Sequence, residues 1–154
     1  MKIVYVHHGN RKLGNPPTQN DDLTEIGYQD CENVAKLLNN SEVKRFAKAI
    51  YTSPYFRCKK TAQIINKHLN LPIIEDARLN EWNDSEEDWT CLQNRIDDCI
   101  NDILKNYKRE DMVICVTSGL NIVGFINKAY NLPSSSTAPK LKVPNCCPII
   151  FDYK

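Results

Sequence analysis

The segment KIVYVHHGN, residues 2–10, decides the fold of this protein. Its first five residues, Lys2–Val6, are mostly β-branched or aromatic, which is typical of a buried β-strand. Two histidines and a glycine follow this strand directly. Four further short runs of the same kind recur along the chain, at Ala49–Thr52, Pro72–Ile74, Met112–Thr117 and Pro148–Tyr153. We therefore predict five strands.

Longer helical patterns separate these strands, over Thr24–Leu38, Pro54–Leu69, Glu86–Tyr107 and Leu120–Tyr130. In the third pattern, apolar residues recur at helical spacing, at Leu92, Ile96, Ile100, Ile103 and Leu104. The alternation of strands and helices predicts an α/β fold, a three-layer α/β/α sandwich in which helices cover both faces of a mostly parallel sheet of five or more strands. The length of 154 residues fits one domain, so residues 1–154 are predicted to form a single domain.

The composition argues against several classes of protein. The formal net charge is +1, and nucleic-acid-binding proteins usually carry a basic excess, so no nucleic-acid partner is expected. No apolar run approaches the roughly 20 residues that span a bilayer, so no membrane partner is expected either. The apolar stretch at the N-terminus is too short for a signal peptide, which favours a cytoplasmic location. The sequence does not indicate an oligomeric state.

The seven cysteines do not indicate a metal site. Their number is odd, and no two of them have C-x-x-C spacing. Because the chain also has only three histidines, we predict no bound metal. The cysteines are interpreted as reduced, mostly buried thiols of a cytoplasmic protein.

Ligand sites of parallel α/β sheets lie beyond the carboxyl ends of the strands, so the residues at those ends are the candidate site. The first strand ends in His7-His8-Gly9-Asn10, where glycine allows a ligand to approach the backbone closely. A polar loop with two incidental histidines would explain the same residues. After the fourth strand, Ser118 is either a helix N-cap alone or also part of a second anion site.

Two more strand ends carry charged residues. After the second strand, Ser53 is predicted to be a helix N-cap and Pro54 the first helical residue. Arg57 then lies in the first turn, where backbone N–H groups, the helix dipole and the guanidinium together favour a phosphate. After the third strand, Glu81 would serve as a proton donor if it faces the same cleft. The plain structural alternatives are a solvent-facing arginine and an exposed carboxylate.

Five motifs follow one another along the chain: His8-Gly9, Leu23-Thr24-x-x-Gly27, Thr52-Ser53-Pro54-x-x-Arg57-x-x-x-Thr61-Ala62, Leu79-x-Glu81 and Leu141-x-Val143-Pro144-Asn145-Cys146-Cys147. Their order resembles that of the histidine phosphatase superfamily, also called the phosphoglycerate mutase-like family. The resemblance spans nearly the whole chain. The short length is similar to that of the compact branch, which includes phosphohistidine phosphatases and lacks large substrate-cap insertions.

The resemblance implies a two-step phosphoryl transfer. His8 corresponds to the nucleophile that becomes phosphohistidine, Arg57 to a phosphate-clamping arginine, and Glu81 to the acid that protonates the leaving oxygen. Gly9 and Asn10, which follow His8, are predicted to contact the phosphate. The implied partner is a phosphorylated small molecule or a phosphoprotein. No metal or organic cofactor is implied.

Two positions depart from the family pattern. The signature usually begins Arg-His-Gly, but the arginine position is His7 here, and the usual His-Gly pair after the fourth strand is Ser118-Gly119. Losing a hydrogen bond to a charged group costs about 1.5–3 kcal/mol, so two losses slow the chemistry by roughly 10²–10⁴-fold. We expect a cationic His7 and the Ser118 hydroxyl to replace part of this phosphate binding, with Arg11 or Lys12 as further candidates.

Several functions remain open. The first is an atypical or attenuated phosphatase, favoured at mildly acidic pH if His7 is cationic; the second is an inactive module that binds a phosphorylated ligand or partner. A mutase is disfavoured because the chain has little spare sequence for a lid. A cysteine phosphatase, suggested by Cys115 ahead of Ser118, is disfavoured because Asn121 stands where arginine is required and Cys115 lies in an apolar strand.

Overall fold

The computed structural model describes residues 1–14, 16–83, 85–131 and 142–153. Its elements, in chain order, are β1 (Lys2–His7), α1 (Glu25–Asn39), α2 (Glu42–Phe46), β2 (Ala47–Thr52), α3 (Phe56–Leu69), β3 (Ile73–Glu75), a 3₁₀ turn (Ala77–Leu79), α4 (Trp89–Asn106), β4 (Met112–Thr117), α5 (Gly119–Ala129) and β5 (Pro148–Asp152). Leu141, named in the last motif, lies outside the described residues.

The five strands form one sheet in the order β3-β2-β4-β1-β5. Strands β1 to β4 run parallel to their neighbours, and β5 pairs with β1 in the antiparallel direction. The prediction of a mostly parallel, five-stranded sheet is therefore confirmed. The central position of β4 explains why its residues, MVICVT, are buried on both faces and why its bounds could be read from the sequence.

Hydrophobic cores lie on both faces of the sheet. Because successive side chains of a strand point to opposite faces, Val4 and Val6 of β1 pack with α1 and α3, whereas Ile3 and Tyr5 pack with α4 and α5. Helices thus cover both faces, and the predicted three-layer sandwich is confirmed.

Helix α4 shows the pattern on which its prediction rested. Its apolar residues Leu92, Ile96 and Ile100 are fully buried, and the helix begins after Asp88, whose carboxylate accepts a hydrogen bond from the Cys91 backbone N–H at 2.8 Å. In the described part of the chain, neither α4 nor another helix has the length and apolar character needed to cross a membrane.

Helix α3 begins later than the sequence predicts. Its first residue is Phe56, and Tyr55 occupies the N-cap position without a capping side-chain bond. Ser53, predicted as the N-cap, is buried instead, and its Oγ donates to the Asn80 side-chain oxygen at 2.8 Å. The predicted N-cap was wrong because Ser53 closes a turn ahead of the helix, where its Oγ accepts from the Tyr55 backbone N–H at 3.2 Å. Arg57 still lies in the first turn, as predicted.

Candidate active site

The backbone continues the sheet pairing past the carboxyl ends of β1 and β2. The His8 backbone N–H donates to the Thr117 carbonyl at 3.0 Å, and the Ser53 N–H donates to the Val116 carbonyl at 3.1 Å. Because β4 lies between β1 and β2, these bonds hold the residues after all three strands at one edge. The sheet order therefore brings His8 and Arg57 together, although 49 positions separate them.

His8 is buried, with 3% of its surface exposed. Its Nδ1 lies 2.8 Å from the Gly9 carbonyl oxygen, which can only accept, and its Nε2 lies 3.2 Å from the Arg57 Nε–H, which can only donate. Both contacts require the neutral tautomer with hydrogen on Nδ1 and a lone pair on Nε2. Burial lowers the pKa of His8 to about 3, and His7 and Arg57 act in the same direction. The ring is therefore neutral, and its Nε2 lone pair points to the Arg57 guanidinium.

Arg57 connects His8 to Glu81. Its Nε donates to His8, its Nη2 donates to the Glu81 carboxylate at 2.5 Å, and its Nη1 donates to the Thr18 carbonyl at 3.5 Å. The guanidinium also lies 4.9 Å from the centre of the Tyr55 ring. Only 1% of Arg57 is exposed, so these partners are what make the buried charge tolerable.

A second guanidinium reaches the same carboxylate. Arg11 Nη1 lies 3.4 Å from the Glu81 oxygen that also accepts from Arg57. The chain enters this position from β1 and pairs at Arg11 with Leu23 in an isolated antiparallel bridge. Arg11 was only a subsidiary candidate in the sequence, where its sole signal was its position just after the two histidines. The geometry places it among the site residues.

The loop that carries Glu81 is held by side chains from the neighbouring strand ends. Asn121 Nδ2 donates to the carbonyls of Leu79 and Asn80, at 3.0 and 2.8 Å, and the Thr117 hydroxyl donates to the Leu79 carbonyl at 2.7 Å. Sequence reasoning missed this role, since Asn121 drew attention only as a residue unsuited to a cysteine phosphatase. An amide in the first turn after a strand end was the available signal.

Gly9 has a role in packing. A Cβ at this position would lie 2.7 Å from Cys31 Sγ and 2.9 Å from the Gly27 carbonyl oxygen. The Gly9 N–H donates to the buried Thr61 hydroxyl at 3.0 Å, and that hydroxyl donates to the Arg57 carbonyl at 2.8 Å. The side of Gly9 where a Cβ would stand is filled by Leu23 and by Cys31 and Gly27 of α1, so the absence of a side chain is explained by packing, and contact with phosphate stays a prediction. Gly9 also holds the His8 ring through its carbonyl.

The pKa of His7 is lowered in this structure, whereas the predicted cationic role beside a phosphate would require a raised pKa. The Nδ1 of His7 lies 2.8 Å from the Val143 carbonyl oxygen, and its Nε2 lies 3.4 Å from the Asn145 amide nitrogen. Burial lowers its pKa, and this effect outweighs the hydrogen bonds with Val143 and Pro144. The ring lies 4.6 Å from that of His8, edge to face. Its contacts therefore anchor the segment before β5 to the site.

Ser118 and Asn10 make their hydrogen bonds away from Arg57. The buried Ser118 hydroxyl donates its one hydrogen to the Asn121 side-chain oxygen at 3.1 Å, so binding to phosphate, which stays a prediction, requires this bond to be exchanged. The Asn10 carbonyl accepts from the Thr24 N–H at 2.9 Å, where it meets the start of α1. In this structure Ser118 therefore bonds within the first turn of α5, and the Asn10 backbone bonds at the start of α1.

Cys115 does not support a cysteine phosphatase. It is fully buried in β4, and burial raises the pKa of its thiol well above the usual value. Such a thiol is not an activated nucleophile.

A cleft of about 400 Å³ lies above Arg57. Its walls come from the loops after β1, β2 and β3 and from the start of α5, and they comprise Arg11, Pro17, Thr18, Gln19, Tyr55, Arg57, Glu81, Trp82, Asn83 and Leu120. The position beyond the carboxyl ends of the strands is the predicted one. His8 lies behind Arg57, so an anion that reaches His8 Nε2 must replace the bond between these two side chains.

The chain is similar in sequence to a known family. The family model of the histidine phosphatase superfamily (branch 1) matches residues 8–86. A 2,3-bisphosphoglycerate-dependent phosphoglycerate mutase from Thermoplasma acidophilum is 33% identical over 87 residues, which cover 53% of this chain and 42% of that protein. The match thus spans less than half the length of this curated relative.

Solved structures share the fold over nearly the whole chain. The α-ribazole phosphatase from Shigella flexneri has a TM-score of 0.79 and 16% identity, covering 100% of this chain and 91% of that one. A phosphoglycerate mutase from Bacillus anthracis has a TM-score of 0.78 and 20% identity, covering 99% and 88%. A phosphoserine phosphatase mutant from Entamoeba histolytica, in complex with phosphoserine, has a TM-score of 0.78 and 17% identity, covering 99% and 91%. At these identities the similarity establishes the fold alone.

Proposed function

Because the chain belongs to the histidine phosphatase superfamily, we propose that it hydrolyses a phosphomonoester or a phosphohistidine through a phosphohistidine intermediate on His8. The observation that carries the proposal is the hydrogen-bonded row of His8, Arg57 and Glu81. It sets a neutral nucleophile, a buried cation and a carboxylate side by side at the base of one cleft. Nucleophilic phosphoryl transfer with acid–base help requires these three groups.

In the first step, the lone pair of His8 Nε2 attacks phosphorus, and the bond from phosphorus to the leaving oxygen breaks. Glu81, which the incoming phosphate displaces from Arg57 and Arg11, enters this step protonated and gives its proton to the leaving oxygen. The ring becomes cationic as it takes up the phosphoryl group, and the Gly9 carbonyl, which accepts the Nδ1 hydrogen at 2.8 Å, stabilises that charge. Arg57 exchanges its bonds to His8 and Glu81 for bonds to the phosphoryl oxygens.

In the second step, water attacks the phosphohistidine and Glu81 takes a proton from that water. The bond between phosphorus and Nε2 breaks, inorganic phosphate leaves, and His8 returns to its neutral form. The lowered pKa of His8 favours this return, because burial penalises a charged ring.

Arg11 supplies positive charge that His7 does not. Its guanidinium already shares a Glu81 oxygen with Arg57, so a phosphate that takes the place of this carboxylate oxygen meets both cations. Two guanidiniums on one phosphoryl group compensate for the arginine that the family usually places at position 7.

The cleft favours a small phosphorylated substrate. Its volume lies within the range of roughly 300–1,000 Å³ that is common for small-molecule sites. Tyr55, Trp82 and Leu120 line it beside the charged groups, so the leaving group would carry an apolar or ring-shaped portion. A phosphoprotein that inserts one side chain remains compatible with the same chemistry.

The test compares hydrolysis of p-nitrophenyl phosphate by the wild type, His8→Ala and His68→Ala. His68 is the matched control, because it lies at the end of α3 and contacts Glu32 rather than the site. We expect His8→Ala to lose at least about 100-fold in kcat and His68→Ala to keep wild-type activity. A phosphoenzyme trapped from the wild type should be labile to acid and absent from His8→Ala. Equal activity of His8→Ala and wild type would reject His8 as the nucleophile.

The same variants test an inactive phosphate-binding module, the second candidate. The engagement of His7 with Val143 and of Ser118 with Asn121 favours a loss of catalysis, since both side chains are bonded to the protein, while Arg11 and Arg57 are still present to hold a phosphate. Such a module would show a rise in Tm with p-nitrophenyl phosphate or inorganic phosphate and no turnover.

The role of Arg11 has its own control in Lys12, an exposed cation one residue further on. Removing a charge-assisted hydrogen bond worth about 1.5–3 kcal/mol lowers kcat/KM by roughly 10–100-fold. We expect this loss in Arg11→Ala and a change of less than about twofold in Lys12→Ala. Equal losses in both variants would mean that only general positive charge matters.

A further inference from the structure

Two cysteines from distant parts of the chain are in contact beside the candidate site. Cys31 lies in α1 and Cys146 lies just before β5, and their Sγ atoms are 3.5 Å apart. Both thiols are free. A disulfide bond is about 2.05 Å long, so the two sulfurs need to approach by roughly 1.5 Å, which small side-chain and backbone shifts can supply.

The two thiols differ in access and in acidity. Cys31 is fully buried, whereas Cys146 is half-buried and lines a shallow cleft of about 310 Å³ with Asp30 and Asn33. The hydrogen bond with Cys146 lowers the pKa of the Cys31 thiol and raises that of Cys146. An oxidant therefore reaches Cys146 from solvent, while Cys31 is the thiol that ionises more readily behind it.

The backbone of Cys146 is held in an unusual conformation. Its φ of 53° lies in the left-handed region, which residues other than glycine adopt mainly where the surroundings require it. Its N–H donates to the His7 carbonyl at 2.9 Å, and the neighbouring Asn145 amide donates to the His8 carbonyl at 2.7 Å. These bonds keep the Cys146 side chain directed at α1.

We propose that Cys31 and Cys146 form a site of reversible oxidation, which closes to a disulfide in the presence of a hydroperoxide. Hydrogen peroxide oxidises the Cys146 sulfur to a sulfenic acid and releases one water. The Cys31 sulfur, having lost its proton, then attacks the Cys146 sulfur; the S–S bond forms, the S–O bond breaks, and the oxygen leaves as a second water. Two thiols are oxidised and one peroxide is reduced, and a dithiol reverses the reaction.

The disulfide would fasten α1 to the segment that holds His7 and His8. It closes a loop of more than 100 residues, and long loops lose the most chain entropy on closure. We therefore expect a rise in Tm of roughly 5–15 °C on oxidation. The inference goes beyond the proposed phosphatase reaction and stands whether or not the protein turns over a phosphoester.

The experiment oxidises the purified wild type with hydrogen peroxide, blocks free thiols with N-ethylmaleimide and maps unreduced peptides by mass spectrometry. We expect a peptide that joins Cys31 to Cys146, together with the higher Tm, and reversal of both by dithiothreitol. Cys146→Ser and Cys31→Ala should lose both signals. Cys91→Ser is the matched control and should keep them, because Cys91 is exposed in the first turn of α4.

Three results would overturn the proposal. They are a bond between Cys146 and Cys147, crosslinks between molecules through Cys91, and peroxide treatment that leaves Cys31 and Cys146 as free thiols or converts Cys146 only to higher oxides. Mapping on the folded wild type decides among these results even if a cysteine variant folds poorly.

Discussion

Replacing Thr61 by valine tests the contribution of its hydroxyl alone, because valine has nearly the same volume and fills the same space in the core. Thr61 is fully buried in α3. Its Oγ accepts from the Gly9 N–H at 3.0 Å and donates to the Arg57 carbonyl at 2.8 Å. Valine keeps the shape but removes both bonds. Because Gly9 carries the carbonyl that orients His8, the change should affect stability and activity together.

The expected size follows from these two bonds. The Gly9 N–H would be left as a buried donor without its partner, which costs about 1–3 kcal/mol, whereas the Arg57 carbonyl loses a neutral bond worth about 0.5–1.5 kcal/mol. Together they lower the free energy of unfolding by about 2–4 kcal/mol. With a urea m-value of about 1–3 kcal/mol/M, the unfolding midpoint should fall by roughly 1–2 M.

Urea unfolding monitored by tryptophan fluorescence measures this loss, and hydrolysis of p-nitrophenyl phosphate reports the accompanying fall in kcat, roughly 10–100-fold if His8 moves by an ångström. Thr61→Ser is the matched control, because it keeps the hydroxyl and deletes one methyl group at about 1 kcal/mol. If Thr61→Val were within about 0.5 kcal/mol of the wild type, or more stable than Thr61→Ser, the hydroxyl would not be the group that holds Gly9.

Three further predictions rest on other contacts. A Cβ on Gly27 would lie 2.2 Å from the Asn10 carbonyl oxygen, so Gly27→Ala should cost at least about 2 kcal/mol and lower activity; an unchanged Tm would contradict this. Because burial lowers the pKa of His8 to about 3, whereas an unfolded histidine titrates near 6.5, the unfolded chain binds the proton first as pH falls. The contribution of His8 to the free energy of unfolding should therefore be fully present above about pH 6.5 and decline towards pH 3, with a loss of about 2–3 kcal/mol at pH 4.5. Urea titrations at several pH values should show a smaller decline in His8→Ala than in the wild type. An equal decline in both would refute the lowered pKa of His8. Asp88→Ala removes the N-cap of α4 and should cost about 1 kcal/mol without changing kcat, which urea unfolding and an activity assay together check.

Elements that are buried on a simple pattern were predictable. The run Met112–Thr117 is the observed β4 residue for residue, since a central parallel strand is apolar on both faces. The stripe in α4 was equally clear, because one face of that helix meets the sheet. In α1, large apolar residues are a poor guide to burial: Ile26 is 65% exposed and Leu37 is 57% exposed, while Cys31 and Ala35 occupy the core. Small residues fill this contact because α1 packs closely against α3 and the Gly9 turn.

The short helix α2 was not predicted. It has five residues, Glu42–Phe46, and only Val43 enters the core, so it leaves little periodicity to detect. Its N-cap, Ser41, accepts from the Val43 N–H at 3.2 Å and was the available local signal.

For the site, the sequence by itself determined the order of motifs and the edge of the sheet where they meet. His8, Arg57 and Glu81 were named from these motifs, and the structure brings them into one hydrogen-bonded row; their catalytic roles stay predictions. Only the tertiary structure decided what each polar group bonds to. In the structure, His7 forms a hydrogen bond with Val143, Ser118 forms one with Asn121, and Arg11 forms an ion pair with Glu81.

The physical reason is that the burial of a residue and the partner of its hydrogen bond depend on different features of the chain. Burial follows from hydrophobic pattern, which is local along the chain and can be read from spacing. A hydrogen bond depends on the distance and the angle between donor and acceptor, and in the site these groups are far apart in sequence. The contact of Cys31 with Cys146 is of this second kind, because residues 115 positions apart meet only once α1 and the segment before β5 have packed on the same face.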